Sequence, residues 1–140
     1  IHSRELELLG SAEPLPRGVV DDVRREIRNG GDPLGHRFSV SRSAANRRVT
    51  GATYTPDILV KSVLDRLRSQ RNASRIVDPG CGTAKFLLGA AKLFPDAMLI
   101  GIDVDPIATL MARANLACLG YEQRSQIFLQ DYCTATLGRI

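Results

Sequence analysis

Arg75-Ile76-Val77-Asp78-Pro79-Gly80-Cys81-Gly82-Thr83-Ala84-Lys85-Phe86 is the stretch that decides the fold. Ile76 and Val77 read as a strand, Gly80 and Gly82 as a tight turn, and the apolar run from Phe86 as a helix. A glycine turn between strand and helix is how doubly wound α/β folds let a ligand approach the backbone. A dinucleotide fingerprint would place a third glycine where Lys85 stands, and it needs no acid at the strand end. Here Asp78 ends the strand. A carboxylate there would repel a pyrophosphate and attract a cation.

The next signal lies downstream. Ala97 to Asp103 reads as the second strand, and Asp103 follows Asp78 by 25 residues. An acid at that strand tip is placed to accept hydrogen bonds from both ribose hydroxyls of an adenosyl ligand. Turn, crossover helix and terminal acid make one βαβ unit of about 30 residues. S-adenosylmethionine carries an ammonium and a sulfonium, so it suits this acidic turn better than NAD does.

Other elements follow from periodicity. Leu6, Leu8 and Leu9 suggest a short apolar element ended by Gly10. Val19 to Arg28 reads as a helix with Val20, Val23 and Ile27 on one face, stopped by Asn29-Gly30-Gly31-Asp32-Pro33. Residues 34–50 are expected to be loop or short helix. Thr55-Pro56-Asp57 reads as a helix start, with Thr55 as N-cap and Pro56 at the first helical position. Leu59, Val60, Val63, Leu64 and Leu67 follow at helical spacing and are expected to pack on the sheet. Phe86 to Leu93 is the crossover helix. Asp105-Pro106 starts another, with Asp105 as N-cap and an expected buried stripe of Ile107, Leu110, Met111, Ala114 and Cys118. Gln126 to Gln130 is the third strand. After it, Asp131 can accept adenine amino hydrogens and the Tyr132 ring can lie against a purine; a turn Asp and a half-buried Tyr is the alternative.

Composition sets outer limits. The chain has 140 residues, 44% hydrophobic and 24% charged, enough for one domain with a core. No apolar run approaches the length of a membrane span. The start, Ile1-His2-Ser3-Arg4-Glu5, lacks the apolar stretch of a signal peptide, so the expected location is the cytoplasm. Cys81, Cys118 and Cys133 form no Cys-x-x-Cys pair, and only His2 and His36 accompany them, so no metal site is expected. All three read as small, reduced and buried. Residues 1–72 hold 13 Lys/Arg against 9 Asp/Glu, whereas residues 73–140 hold 6 of each. Arg24, Arg25 and Arg28 alternate with Asp21, Asp22 and Glu26, as on a surface helix with local ion pairs. Arg47 and Arg48 have no nearby acid and are the better candidates for phosphate contacts with DNA.

At this point a family resemblance is visible. Asp78-Pro79-Gly80-Cys81-Gly82-Thr83-Ala84-Lys85-Phe86 resembles the first motif of class I S-adenosylmethionine-dependent methyltransferases, most closely those that modify adenine N6 in DNA in bacterial restriction-modification systems. Gly51-Ala52-Thr53-Tyr54-Thr55-Pro56 resembles the Gly-x-x-Tyr-Thr-Pro segment that precedes it in that group. Gly101-Ile102-Asp103-Val104-Asp105-Pro106 and Ile127-Phe128-Leu129-Gln130-Asp131-Tyr132 resemble the second and third motifs. Ala84 is a departure, because these enzymes usually carry glycine there.

The resemblance implies an α/β fold: a partial Rossmann-like methyltransferase sheet with strands in the order 3-2-1, preceded by an N-terminal helical segment. Residues 1–50 are then a basic helical segment and residues 51–140 the first half of the cofactor domain. Tyr54, Thr55, Asp78, Gly80, Gly82, Phe86, Asp103, Val104, Asp131 and Tyr132 would bind S-adenosylmethionine, with Thr55 at its methionine end. The family's catalytic Asn-Pro-Pro-Tyr type of motif has no counterpart, since the chain contains no Pro-Pro pair. The expectation is an N-terminal fragment without a catalytic residue. In the parent protein a flipped-out adenine would receive the methyl group. An RNA base-amine methyltransferase and a non-catalytic S-adenosylmethionine-binding module are the alternatives. In the family strand 1 lies mid-sheet. Its open edge here is expected either to self-associate through residues 74–79 or to be covered by the N-terminal segment.

Overall fold

Three parallel strands form the sheet: β1 (Arg75–Pro79), β2 (Met98–Asp103) and β3 (Ser125–Leu129), in the order β1-β2-β3. The computed structural model describes residues 1–41, 55–69 and 73–135. Asp78 pairs with Gly101 and Asp103 with Leu129, so the acids end neighbouring strands on one edge of the sheet. Gly101 sits mid-sheet because a Cβ there would lie 2.7 Å from Ile127 Cδ1 and 2.8 Å from Cys81 Sγ. Any side chain there would require those neighbours to shift.

Helices connect the strands. α5 (Lys85–Leu93) crosses from β1 to β2 and α6 (Pro106–Cys118) from β2 to β3. Leu87 and Ala91 of α5 meet Ala112 and Leu116 of α6 over Leu99 and Ile127. Arg124 closes the far end of α5: its guanidinium donates to Ala91 O at 2.9 Å and Ala97 O at 2.8 Å, and stacks on Tyr121. Three carbonyls without helical partners near a chain reversal are thereby satisfied together, the third being Phe94 O at 3.3 Å.

The N-terminal helices are α1 (Ser3–Ser11), α2 (Arg17–Arg28) and α3 (Pro33–Ser41). α1 runs through Gly10, and its inward residue is Glu5 rather than a leucine. On α2 the ion pairs Arg24–Asp21 and Arg25–Asp22 form as the sequence suggests. All three helices lie against α6. Among the described residues they do not supply the cover for β1 that the sequence offered as one option, and Val77 on that edge strand is 41% exposed.

This packing corrects the expected stripe of α6. Its buried positions are Ala108, Thr109, Ala112, Asn115 and Leu116. Ile107 and Ala114 are exposed, and Leu110, Met111 and Cys118 are half-buried. The helix is shared between the sheet and α1–α3, so its apolar residues serve two partners, while Thr109 bonds Glu5 of α1 and Asn115 reaches the turn after β1. Only Cys81 of the three cysteines is buried; Cys118 is half-buried and Cys133 exposed.

α4 (Asp57–Leu67) packs chiefly on α5, with Leu64 against Gly89; Leu64 and Leu67 share a cluster with Ala90, Phe94 and Ile76 of β1, and Leu59 and Val63 stay exposed. Its N-cap is Pro56, not Thr55. Pro56 is extended (ψ 146°) and its carbonyl accepts the first helical bonds, from Leu59 N and Val60 N. The expected cap at Asp105 does form: its carboxylate accepts from Ile107 N at 2.9 Å and Ala108 N at 3.4 Å, with Pro106 opening α6. No helix among the described residues is long and apolar enough to cross a membrane.

Candidate functional site

The turn after β1 is held by the tip of β2. Gly80 N and Cys81 N both donate to Ile102 O, at 2.7 and 3.0 Å. Gly82 N donates to Asp103 Oδ2 at 2.8 Å, and Asp103 Oδ1 accepts from Asp105 N at 2.9 Å. Each Asp103 oxygen therefore takes one backbone bond and keeps capacity for another. Gly80 (φ +78°) and Gly82 (φ +54°) hold the left-handed conformation, and a Cβ at either would meet no atom within 4 Å. That open space is what a ligand needs to reach the backbone.

Ala84 also has positive φ, +72°, a conformation in which glycine is the unstrained residue. Its methyl is 0% exposed and belongs to the core with Leu87 and Leu99. It therefore does not intrude on the open side of the turn. No side chain caps the start of α5.

Asp78 carries an unsatisfied oxygen at this turn. Its Oδ2 is buried and has no hydrogen-bond partner among the described residues. Burial, and then the negative charge of Asp103, push its carboxyl up to about 6. Two carboxylates side by side, one with an orphaned oxygen, attract a cationic donor. Burial, with Asp103 and Asp78 nearby, also pushes the Cys81 thiol up, so it is a neutral core group rather than a nucleophile.

The remaining expected residues lie around this centre. Thr55 is half-buried, and its carbonyl accepts from Lys85 Nζ at 3.2 Å, while Lys85 also pairs with Asp57. This clasps the start of α4 to the start of α5, beside the turn. Phe86 is half-buried in the first turn of α5, and Val104 is exposed just past β2. Asp131 and Tyr132 are exposed beyond β3, where Asp131 Oδ1 accepts from Cys133 N at 2.9 Å. The structure thus ties Gly80 and Gly82 to the tip of β2 at Ile102 and Asp103 by hydrogen bonds, with the Asp78 carboxyl close enough to feel the charge of Asp103. Val104, Asp131 and Tyr132 follow the same ends of neighbouring strands. Tyr54, Arg47 and Arg48 lie outside the described residues. Asn115, which donates to Thr83 O at 2.9 Å from α6, was missed. Its signal was a polar residue one turn from Ala112 on an apolar helix.

The residues present fit S-adenosylmethionine: an orphaned buried carboxylate for a positive group, an acid with spare acceptor capacity for hydroxyls, and glycines facing open space.

A parallel sheet with a glycine turn after its first strand and acids at the ends of the first two is the architecture of class I methyltransferases. Residues 37–137 match the model of the N-6 DNA Methylase family, and the chain belongs to that family. It is 40% identical over 121 residues to Type II methyltransferase M.XamI of Xanthomonas campestris pv. amaranthicola, covering 81% of this chain and 21% of that one. With Type II methyltransferase M.VspI of Vibrio sp. (strain 343) it shares 31% identity over 99 residues, 70% of this chain and 24% of the other. The chain thus spans about a fifth to a quarter of these relatives. The solved structure of StiE O-MT residues 961-1257 superposes with a TM-score of 0.54 over 76% of this chain and 37% of that one; at 17% identity the likeness is one of fold.

Proposed function

We propose that this chain is the S-adenosylmethionine-holding part of a DNA adenine-N6 methyltransferase of the restriction-modification type. The observation that carries the reading is the buried, unpartnered Asp78 Oδ2 beside Asp103 at the open glycine turn. The family match and the type II methyltransferases among its relatives support the substrate class.

S-adenosylmethionine supplies a methyl group activated on a sulfonium. In this reading Asp78 pairs with its positive end, and Gly80 and Gly82 give it access to backbone. Asp103 accepts from the ribose hydroxyls while keeping its bonds to Gly82 N and Asp105 N. Thr55 and Tyr54 border the methionine end, Phe86 and Val104 flank the nucleoside, and Asp131 and Tyr132 meet the adenine. Arg47 and Arg48 contact DNA phosphates in the parent protein, which works in the cytoplasm. No residue of this chain is assigned the methyl-transfer step itself. The chain also self-associates through the open edge of β1.

Fluorescence-free calorimetric titration with S-adenosylmethionine at pH 7.5, repeated on Asp78→Asn, tests the site. Binding by the unaltered chain that weakens at least tenfold in the variant supports the assignment. Equal binding by both removes Asp78 from the site.

A further inference from the structure

We infer that Asn115 is a positioning residue for the cofactor turn: from the adjacent helix it fixes the Thr83 carbonyl and so holds residues 80–84 in their ligand-ready shape. This rests on the proposed S-adenosylmethionine site. Asn115 is 1% exposed on α6, on the same face as Ala108, Ala112 and Leu116. Its Nδ2 donates to Thr83 O at 2.9 Å, while its Oδ1 is buried with no partner among the described residues. A half-satisfied amide in a core is a poor choice for folding, where an apolar side chain of similar volume would cost nothing in unmade hydrogen bonds. Its use must come from what the satisfied half does.

Thr83 is where such a bond has most effect. It is itself buried, and both its neighbours, Gly82 and Ala84, have positive φ. Ala84 is the strained one, since a Cβ disfavours that conformation. Helical bonding of α5 starts with the Ala84 carbonyl, which accepts from Leu88 N, so Thr83 O precedes the helix and takes its bond from Asn115. With that bond in place the peptide between Thr83 and Ala84 is fixed. The same short turn carries the Gly82 N–H to Asp103 bond and the open face of the two glycines. Without it, the turn is free to relax the strain at Ala84 before a ligand arrives, and binding must reverse that relaxation.

The test compares Asn115→Leu, which keeps volume and loses the donor, with Leu116→Ala, a purely packing change one residue on. Amide exchange in the ligand-free chain is expected to speed about tenfold at Gly82 and Ala84 in Asn115→Leu, the worth of about one hydrogen bond, with Ala112 unchanged. In Leu116→Ala all three should speed together. S-adenosylmethionine affinity, measured well below each melting point, should fall about tenfold in the first variant and stay within twofold in the second. Unchanged exchange at Gly82 and Ala84, or an equal rise at Ala112, overturns the inference. Asn115→Met, which also lacks the donor and fills the space, carries the same comparison if the leucine variant does not fold. Should the unaltered chain bind no S-adenosylmethionine, the proposed function fails, while the exchange data still decide the role of Asn115.

Discussion

Asp78 lowers the stability of the ligand-free chain and is the group a ligand would satisfy. Its carboxyl, at about 6, lies above the ordinary 3.8. The folded state therefore binds protons more readily than the unfolded one between those values, and stability falls as pH rises from 4 to 6. Above pH 6 the full penalty is present, on the order of 1–3 kcal/mol. Asp78→Asn should raise the urea midpoint at pH 7.5 and flatten its change between pH 4 and 6. S-adenosylmethionine affinity should weaken below pH 6, approaching tenfold per pH unit, and this dependence should vanish in Asp78→Asn. At Ala84 two effects oppose: glycine would relieve the positive φ by about 1 kcal/mol, and the lost buried methyl costs about 0.8 kcal/mol. Ala84→Gly should thus leave stability within about 1 kcal/mol, whereas Ala84→Val, branched and in the core, should cost more than about 2 kcal/mol in urea unfolding.

At the scale of elements, α1 is tied to the cofactor domain by a buried charge. Glu5 is fully buried and accepts from Arg113 Nε at 3.0 Å and from its own helix's N-cap, His2 N, at 2.7 Å. Arg113 also donates to Ile127 O at 2.6 Å, which joins α1, α6 and β3. Burial raises the Glu5 carboxyl, and the bonds from Arg113, His2 and Thr109 outweigh it, leaving it below the usual value. Arg113→Met, which strands the carboxylate, should destabilise by about 3 kcal/mol in urea unfolding, and adding Glu5→Leu should recover part of that loss. None of this was legible in the sequence. No local pattern marks Glu5 as buried, because its partner is more than a hundred residues away in the chain. The βαβ core was legible because its signals are local: Gly80 and Gly82 for the turn, Asp105-Pro106 for the cap, Ile76 and Leu99 for the strands. The face of α6 was not. Which side of a helix packs on the sheet depends on where α1–α3 dock, and no short-range pattern reports that. The same holds for Asn115, whose polarity matters only because Thr83 O faces it.

For the whole molecule, the edge of the sheet at β1 is the main liability among the described residues. β1 pairs only with β2 among the described strands, and its Val77 is exposed. An apolar edge strand with free backbone groups is a template for a second copy. Sedimentation should show a concentration-dependent dimer, with slow amide exchange at Ile76 and Val77 and loss of the dimer in Val77→Lys. A monomer at all concentrations with rapid exchange at those two amides would rule out pairing there. The central claim is narrower: the acidic glycine turn holds S-adenosylmethionine. Calorimetric titration of the chain with S-adenosylmethionine, with NAD as the control ligand, tests it most directly. We expect binding of the first alone, lost in Asp103→Ala. Equal binding of NAD, no binding of either, or binding that survives Asp103→Ala would contradict it.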